Sequence, residues 1–225
     1  MTIRKGEDWG ERTLVPTSTP VAKTDASLAA LFTVELGPDG ELSLSGPKCV
    51  VLLPSAASSR DPRTAGNGLA STLGARGSEE AVLGNERTVM PLDLGVATID
   101  AGLPSERDVV VAASLVMCDR FWTGETQGAM NAAFLGHWNV APGGHPNDGR
   151  FDVVVARLGL ADRIKARKRL PFGSHIPHPH ISIRRLRSAD FSPPKSNSVW
   201  IDGFSYGSAT TVGLRVFPDA VSVAI

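Results

Sequence analysis

The sequence is poor in several residue types that mark common classes of protein. It holds two cysteines, one tyrosine and only 6% aromatic residues among 225 residues. Cys49 and Cys118 lie inside apolar runs and lack the spacing of a metal or redox motif, so we expect small buried thiols in a reducing compartment. The 23 basic residues equal the 23 acidic residues, which gives no overall bias toward nucleic acid.

Long hydrophobic runs are also missing. No apolar run approaches the roughly 20 residues that cross a bilayer, and the first residues do not combine a charged start with an apolar stretch. These absences predict a cytoplasmic protein. With 225 residues, the chain is long enough to bury a substantial core in one domain, with or without a small appendage.

Short apolar runs separated by glycine, proline and aspartate fill the chain beyond residue 89. Their spacing is typical of a β-sandwich or barrel, because each run ends at residues that favour turns. The predicted strands are residues 89–99, 109–117, 134–140, 151–155, 181–186, 199–201, 210–217 and 221–225. A further buried strand is expected at residues 49–53, and a hairpin turn at residues 37–40.

Two helices interrupt this pattern. A cap at Thr24 or Asp25 begins a short amphipathic helix over residues 24–32. Residues 160–170 predict a short basic helix across the outside of the sheet. The expected fold class is therefore mainly β, of the α+β kind: an antiparallel β-sandwich with a small α/β part at the N-terminal end.

Residues 131–155 predict a strand, a polar turn and a second strand. Pro146 fixes φ, and the Asn-Asp-Gly run after it tolerates positive φ, so the chain should reverse there. Asp152 lies near the start of the second strand. It either caps the turn or faces a ligand.

Basic residues are concentrated between Arg157 and Arg187, where nine lysines and arginines accompany one acid, Asp162. This segment is either an anion-facing surface or a solvated basic face. Its helical part, residues 163–169, is the candidate for peripheral contact with an anionic membrane.

All five histidines fall within residues 137–180. Three of them form a proline-containing segment that leads to two arginines. These residues are His175, His178, His180, Arg184 and Arg185. Three interpretations are open: a transition-metal site completed by His145 and Asp148, a site for a phosphate or sugar group, or a rigid edge with surface histidines.

Four segments carry a resemblance to a known family. Residues 66–74, Gly-Asn-Gly-Leu-Ala-Ser-Thr-Leu-Gly, resemble a G-T-G-N-D-[FL]-A-R-x-L-G loop, and Pro-Leu-Asp-Leu-Gly at residues 91–95 resembles an I-D-L-G strand opening. Residues 146–153 are similar to A-x-x-D-G-x-L-D-V, and residues 201–225 to a D-G-E … V-x-V-x-P-x-A-L-x-V ending. Together, and in this order, they resemble the diacylglycerol kinase and sphingosine kinase type of lipid kinase.

The resemblance implies a fold and an activity. Residues 81–225 would form the family's C-terminal β-sandwich domain, and residues 1–80 a shortened α/β nucleotide-binding part with the glycine-rich loop. The implied activity uses ATP and Mg²⁺ to phosphorylate a lipid hydroxyl. Asp202 would accept the proton of that hydroxyl, or it is simply the acid of a type I or I′ turn. Asp148 and Asp152 match a magnesium-centred network of bacterial members.

The nucleotide would contact Gly66, Asn67 and Gly68. Here the sequence departs from the family, since Gly68 replaces an acid and Ser71 replaces an arginine. The glutamate of D-G-E is replaced by Phe204. Phosphoryl transfer depends on positioning and on neutralising charge, so these departures predict a loss of rate by orders of magnitude.

Two functions follow from the sequence. The first is lipid phosphorylation with ATP and Mg²⁺. The second is a non-catalytic module that binds a lipid, a phosphorylated small molecule or a protein partner, with no cofactor. A homodimer that completes the cleft with groups from a second chain is compatible with either function.

Overall fold

The computed structural model describes residues 9–54, 61–119 and 124–225. The α-helices in these ranges are α1 (Asp25–Ala29), α2 (Gly68–Leu73), α3 (Glu79–Val82) and α4 (Leu160–Arg169). The strands up to residue 118 are β1 (Glu11–Leu14), β2 (Val21–Ala22), β3 (Thr33–Leu36), β4 (Leu42–Ser45), β5 (Cys49–Leu52), β6 (Glu86–Ile99), β7 (Arg107–Val111) and β8 (Ser114–Cys118). The later strands are β9 (Thr126–Met130), β10 (Phe134–Leu135), β11 (Trp138–Asn139), β12 (Phe151–Ala156), β13 (Ile181–Leu186), β14 (Ser188–Phe191), β15 (Asn197–Ile201), β16 (Phe204–Ala209) and β17 (Val212–Ala224).

The first sheet joins strands from both ends of the chain. Its two longest strands, β6 and β17, pair antiparallel, with a register shift between Phe217 and Val221. β1 and β7 pair with β6, and β14 pairs with β17, all antiparallel. β5 runs parallel to β17, and β2 runs parallel to β5. The predicted antiparallel sheet therefore carries a short parallel edge.

The second sheet contains six antiparallel strands in the order β13-β12-β9-β8-β15-β16. Its register aligns one residue from each of the first five strands in a row. That row is Ile201, Leu115, Ala129, Val153 and Arg184. Because Ile201 precedes Asp202 and Arg184 is a predicted anion-binding residue, the row sets the distance between these two parts of the predicted site.

The apolar faces of the two sheets pack against each other to form a sandwich. Phe151 and Ile201 of the second sheet and Leu214 of the first belong to this core, each 4% exposed or less. A second cluster packs α1 and α2 against the first sheet through Leu28 and Leu69, which are completely buried. Each such side chain contributes about 1.5–3 kcal/mol of burial free energy. The fold class predicted from the sequence, mainly β, is confirmed.

Several predicted elements are found where expected. The capped helix is α1, the basic helix is α4, and strands β5, β6, β12 and β13 lie at predicted positions. The turn at residues 37–40 closes the hairpin of β3 and β4, since the N–H of Gly40 donates to the carbonyl of Gly37 at 3.0 Å.

Two predicted strands are wrong. Residues 109–117 do not form one strand, because the chain turns at Ala112 and Ala113 between β7 and β8. Residues 134–140 form only the two-residue strands β10 and β11 around Gly136, whose φ is +59°. β12 pairs with β9 and β13 rather than with residues 134–140. The polar and small residues of β9 form too weak a pattern to be recognised in the sequence.

Among the described N-terminal strands, only β3 and β4 form a separate sheet, a two-stranded hairpin. β1, β2 and β5 all belong to the sheet that contains β6 and β17. The two regions predicted at residues 1–80 and 81–225 thus share hydrogen-bonded strands. Within the described residues, no helix is both long enough and apolar enough to cross a membrane.

Candidate functional site

Asp202 begins the two-residue turn between β15 and β16. Its φ is 49° and that of Gly203 is 93°, the left-handed backbone that a type I′ hairpin turn requires. Its Oδ2 accepts from the N–H of Ala112 at 2.7 Å, and its Oδ1 accepts from Ala113 at 2.8 Å and Ser114 at 2.9 Å. The residue is 2% exposed. The carboxylate therefore holds the corner between β7 and β8.

A second buried carboxylate, that of Asp25, closes the glycine-rich loop. It accepts from the N–H of Gly68 at 2.6 Å and from the N–H of Leu69 at 3.1 Å. The N–H of Asp25 in turn donates to the carbonyl of Gly66 at 2.8 Å. These amides form the start of α2, where a phosphate would bind if the loop held a nucleotide. The chain's own carboxylate occupies that place, whereas the local sequence predicts Asp25 only as a helix cap.

The two carboxylates belong to one junction between the glycine-rich loop and the β15–β16 turn. A Cβ added to Gly203 would lie 3.3 Å from the Cα of Gly66, so the two backbones touch. Burial raises the pKa of Asp25 to about 7, and the negative charge of Asp202 adds to that rise. Burial also raises the pKa of Asp202 to about 6, against the opposing effect of its three backbone hydrogen bonds.

A cavity of about 540 Å³ opens beside Asp202. Its walls come from α1, β3, β7 and Tyr206 of β16. The guanidinium carbon of Arg107 lies 5.6 Å from the centre of the Tyr206 ring. Burial raises the pKa of Tyr206, and Asp202 adds to the rise. The catalytic role of Asp202 stays a prediction.

Asp93 organises the turn at residues 146–149. It accepts from the N–H of Gly149 at 2.6 Å and from the N–H of Asp219 at 2.9 Å. Asn147 donates to the side chain of Asp219 at 2.9 Å. Asp93 is 1% exposed, and this burial raises its pKa. Asp93 has no predicted role of its own, although an acid inside an apolar strand is a signal of this kind of buried hydrogen-bonded group.

Asp148 and Asp152, the predicted magnesium ligands, both face Arg185. The Nε of Arg185 donates to Asp152 at 3.2 Å, and its Nη1 lies 3.8 Å from Asp148. Asp148 also accepts from the N–H of Arg150 at 3.0 Å, which is a turn cap. Burial raises the pKa of Asp152, while Arg185 opposes the rise. Within the described residues, no three histidine, cysteine or acidic side chains are arranged to hold a metal ion. The magnesium site stays a prediction.

The predicted anion-binding residues are separated by the sheet. His178 and His180 form a turn before β13, with ring centres 5.8 Å apart. β13 lies four strand spacings from β15, which is about 19 Å. Arg184 and Arg185 lie further along β13, so the histidine turn and Asp202 do not share one hollow. The structure does bring Asp202 close to Gly66 and brings Arg185 to Asp148 and Asp152.

A second cavity, of about 300 Å³, lies between α4 and the outer face of the second sheet. Val116, Met130 and Val154 of the sheet form its apolar floor. Arg163 and Arg167 of α4 line the opposite side. The sequence predicted the helix and its charge, but the cavity beneath it depends on packing that no local pattern reveals. We call it the α4 cavity.

His175 is the one predicted ligand-binding histidine that lines the α4 cavity. It is 4% exposed, and burial lowers its pKa against a weaker opposing effect of the Val140 backbone. Within the described part of the chain, neither ring nitrogen has a hydrogen-bond partner of normal geometry.

Comparison with solved structures decides the fold. One protein from Bacillus anthracis strain Sterne, provisionally named a diacylglycerol kinase, matches 78% of this chain and 68% of its own, with 11% identity and a TM-score of 0.52. The fold is that of a diacylglycerol kinase-type lipid kinase. A second structure from that strain, with the same provisional name, matches 78% of this chain and 67% of its own, with 10% identity and a TM-score of 0.54.

The lipid-kinase fold does not by itself define an activity. No protein-family model and no curated protein matches the sequence at a significant level. At this level of identity the likeness concerns the backbone, and one fold supports many functions. The chemistry must therefore be argued from the residues of the two cavities.

Proposed function

We propose that this protein binds a single-chain anionic lipid in the α4 cavity. The observation that carries the proposal is an apolar chamber with a basic wall. Val116, Met130 and Val154 offer no charge to a ligand, whereas Arg163 and Arg167 line the side formed by α4. A hydrocarbon chain fits the floor, and an acidic head group fits the helix.

The volume of the cavity favours one hydrocarbon chain. Ligand pockets span about 300–1,000 Å³, and this one, at about 300 Å³, stands at the lower end. A lipid with two long acyl chains would need a larger chamber. A fatty acid or a lysolipid is the matching class.

The exposed residues around α4 indicate where that lipid would come from. Leu160 and Ile164 of α4 line the cavity and are also 75% and 54% exposed, and Phe172, just after the helix, is 81% exposed. The helix also carries Lys165 and Lys168. Exposed apolar side chains among basic residues are typical of a surface that contacts anionic membranes. We propose that residues 163–169 and these exposed apolar side chains contact such a membrane and take the lipid from it.

The contacts of the glycine-rich loop favour a lipid-binding function without phosphoryl transfer. For the amides of Gly68 and Leu69 to hold a phosphate, the carboxylate of Asp25 would have to leave a buried site where it makes hydrogen bonds of 2.6 and 3.1 Å. An exchange of this kind costs the hydrogen bonds to a charged group, about 1.5–3 kcal/mol each. Lipid binding as proposed requires neither ATP nor Mg²⁺.

Lipid phosphorylation is the second candidate, and one observation favours it. Asp202 lies beside the 540 Å³ cavity, and its pKa of about 6 suits a general base near neutral pH. Transfer of labelled phosphate from ATP with Mg²⁺ to mixed lipids tests this candidate. Incorporation that is lost in Asp202→Asn, with the variant still folded, would establish it, and the absence of incorporation would exclude it.

Calorimetric titration with palmitic acid tests the main proposal. Ala166 lines the α4 cavity and is 8% exposed, so Ala166→Trp should fill the chamber and weaken binding at least about tenfold. Ala161→Trp places the same ring on the exposed side of α4 and is the matched control. If Ala166→Trp is unstable by thermal unfolding, Ala166→Leu replaces it. Equal binding by the folded Ala166 variant and its control would refute the proposal.

A further inference from the structure

Two buried polar side chains line the otherwise apolar α4 cavity. They are His175, 4% exposed, and Gln127, 8% exposed. Within the described residues, neither ring nitrogen of His175 has a hydrogen-bond partner of normal geometry, although the Val140 backbone acts weakly on the ring. The Oε1 of Gln127 has no partner there either, whereas its Nε2 donates to Glu125. Buried polar groups in proteins are almost always paired, so these atoms point to a missing partner inside the cavity.

The chemistry of these atoms restricts the partner. Because burial lowers the pKa of His175, its ring is neutral near pH 7 and offers one N–H donor and one acceptor nitrogen. The Oε1 of Gln127 only accepts. A hydroxyl group is both an acceptor and a donor. It can therefore accept a hydrogen bond from the ring N–H of His175 and donate one to the Oε1 of Gln127. A plain hydrocarbon chain leaves all of these atoms unpaired.

We infer that the natural ligand of the α4 cavity is a lipid whose hydrocarbon chain carries a hydroxyl group, held by His175 and Gln127. This inference rests on the proposed lipid-binding function. The acidic head group belongs to the Arg163 and Arg167 side of the cavity, and the hydroxyl belongs to the chain that lies on the sheet. The head group and the hydroxyl group of the lipid are thus bound by different residues.

Calorimetric titrations with stearic acid and with its positional hydroxystearic isomers test the inference. At least one isomer should bind the wild-type protein about tenfold more tightly than stearic acid, since a buried polar group left unpaired costs about that factor. In His175→Phe, which keeps the ring but removes both nitrogens, the ratio of the two affinities should fall to about one. Gln127→Met, which keeps length and removes the acceptor oxygen, should lower the ratio in the same direction and serves if His175→Phe does not fold.

The outcomes separate this inference from the function on which it rests. If stearic acid binds as tightly as every hydroxystearic isomer, the inference is wrong and lipid binding still holds. The same conclusion follows if the preference for a hydroxystearic isomer persists in both His175→Phe and Gln127→Met. Bound water would then be the partner of His175. Failure of every fatty acid to bind overturns the proposed function as well.

Discussion

Asp25 accepts a 2.6 Å hydrogen bond from the N–H of Gly68, so the glycine-rich loop is closed by a carboxylate 43 residues earlier in the chain. This contact, with the neighbouring bond from Leu69, places a carboxyl group where nucleotide-binding loops hold phosphate. The fold of a lipid kinase thus coexists with a loop whose amides are already engaged.

Removal of the Asp25 carboxylate should destabilise the protein. Asp25→Ala leaves the buried N–H groups of Gly68 and Leu69 without their acceptor, and we expect the free energy of unfolding to fall by about 1–3 kcal/mol. Urea unfolding measures this change. Asp39→Ala, at an exposed turn, is the control and should stay within about 0.5 kcal/mol of wild type. A loss no greater than that of the control would show that the Asp25 contacts contribute nothing.

The two raised carboxyl pKa values predict how stability depends on pH. An unfolded aspartate has a pKa of about 3.9, whereas Asp25 titrates at about 7 and Asp202 at about 6 in the folded protein. Between these values the folded state binds more protons than the unfolded state. The free energy of unfolding contributed by the pair should therefore fall as pH rises from about 4 to about 7, and level off above that.

Urea unfolding at a series of pH values checks this dependence. The decrease from about pH 5 to about pH 8 should be smaller in Asp25→Asn, because the amide does not titrate. The same slope in wild type and in Asp25→Asn would contradict a raised pKa for that carboxyl.

A methyl group at Gly68 should disrupt the junction. A Cβ there would lie 2.5 Å from the carbonyl oxygen of Phe134 and 3.3 Å from Oδ2 of Asp25. Backbone cannot yield as a flexible side chain does, so we expect Gly68→Ala to lower the melting temperature by several degrees, for a loss of about 1–3 kcal/mol. Gly159→Ala, whose added Cβ meets no atom within 4 Å, is the matched control. Equal melting temperatures for the two variants would mean that the loop shifts without cost.

Reversal of one charge on α4 should weaken membrane contact. Lys168 is exposed in the last turn of the helix, and each basic residue near an anionic surface contributes about 1 kcal/mol. Lys168→Glu should lower partitioning to phosphatidylserine vesicles by about tenfold or more at low salt. Arg12→Glu makes the same charge change on the exposed strand β1. Vesicle sedimentation with equal losses in both variants would indicate a response to net charge rather than to α4.

Removal of Arg185 should leave a buried carboxylate without its ion pair. Asp152 is 5% exposed, and Arg185 donates to it at 3.2 Å. Because the arginine is itself half exposed, we expect a modest loss of about 1–2 kcal/mol for Arg185→Met. Arg184→Met, the neighbouring exposed arginine, is the control. A second change, Asp152→Asn, should restore part of the loss, and failure to do so would show that the pair is not coupled.

The sequence predicts helix α4, but it does not predict the cavity beneath the helix. Residues 160–170 predict the basic helix because charge and spacing are local properties. The cavity beneath it needs β9, a strand of polar and small residues that carries no clear pattern, and it needs β8 and β12 on either side. His175 was a candidate from its sequence neighbours, yet only packing separated it from His178 and His180.

Local patterns in the amino-acid sequence are enough to define the class of fold, since alternating apolar residues, turn residues and helix caps act over a few positions. They also predict a tight turn at Asp202, because Asp-Gly between two strands adopts left-handed backbone readily. The hydrogen-bond partners of that carboxylate, the closing of the glycine-rich loop by Asp25, and the shared contact of Asp148 and Asp152 with Arg185 depend on the folded chain. Those relationships join residues that lie 33 to 90 positions apart, and burial rather than local pattern selects such partners, because a charge removed from water must find one.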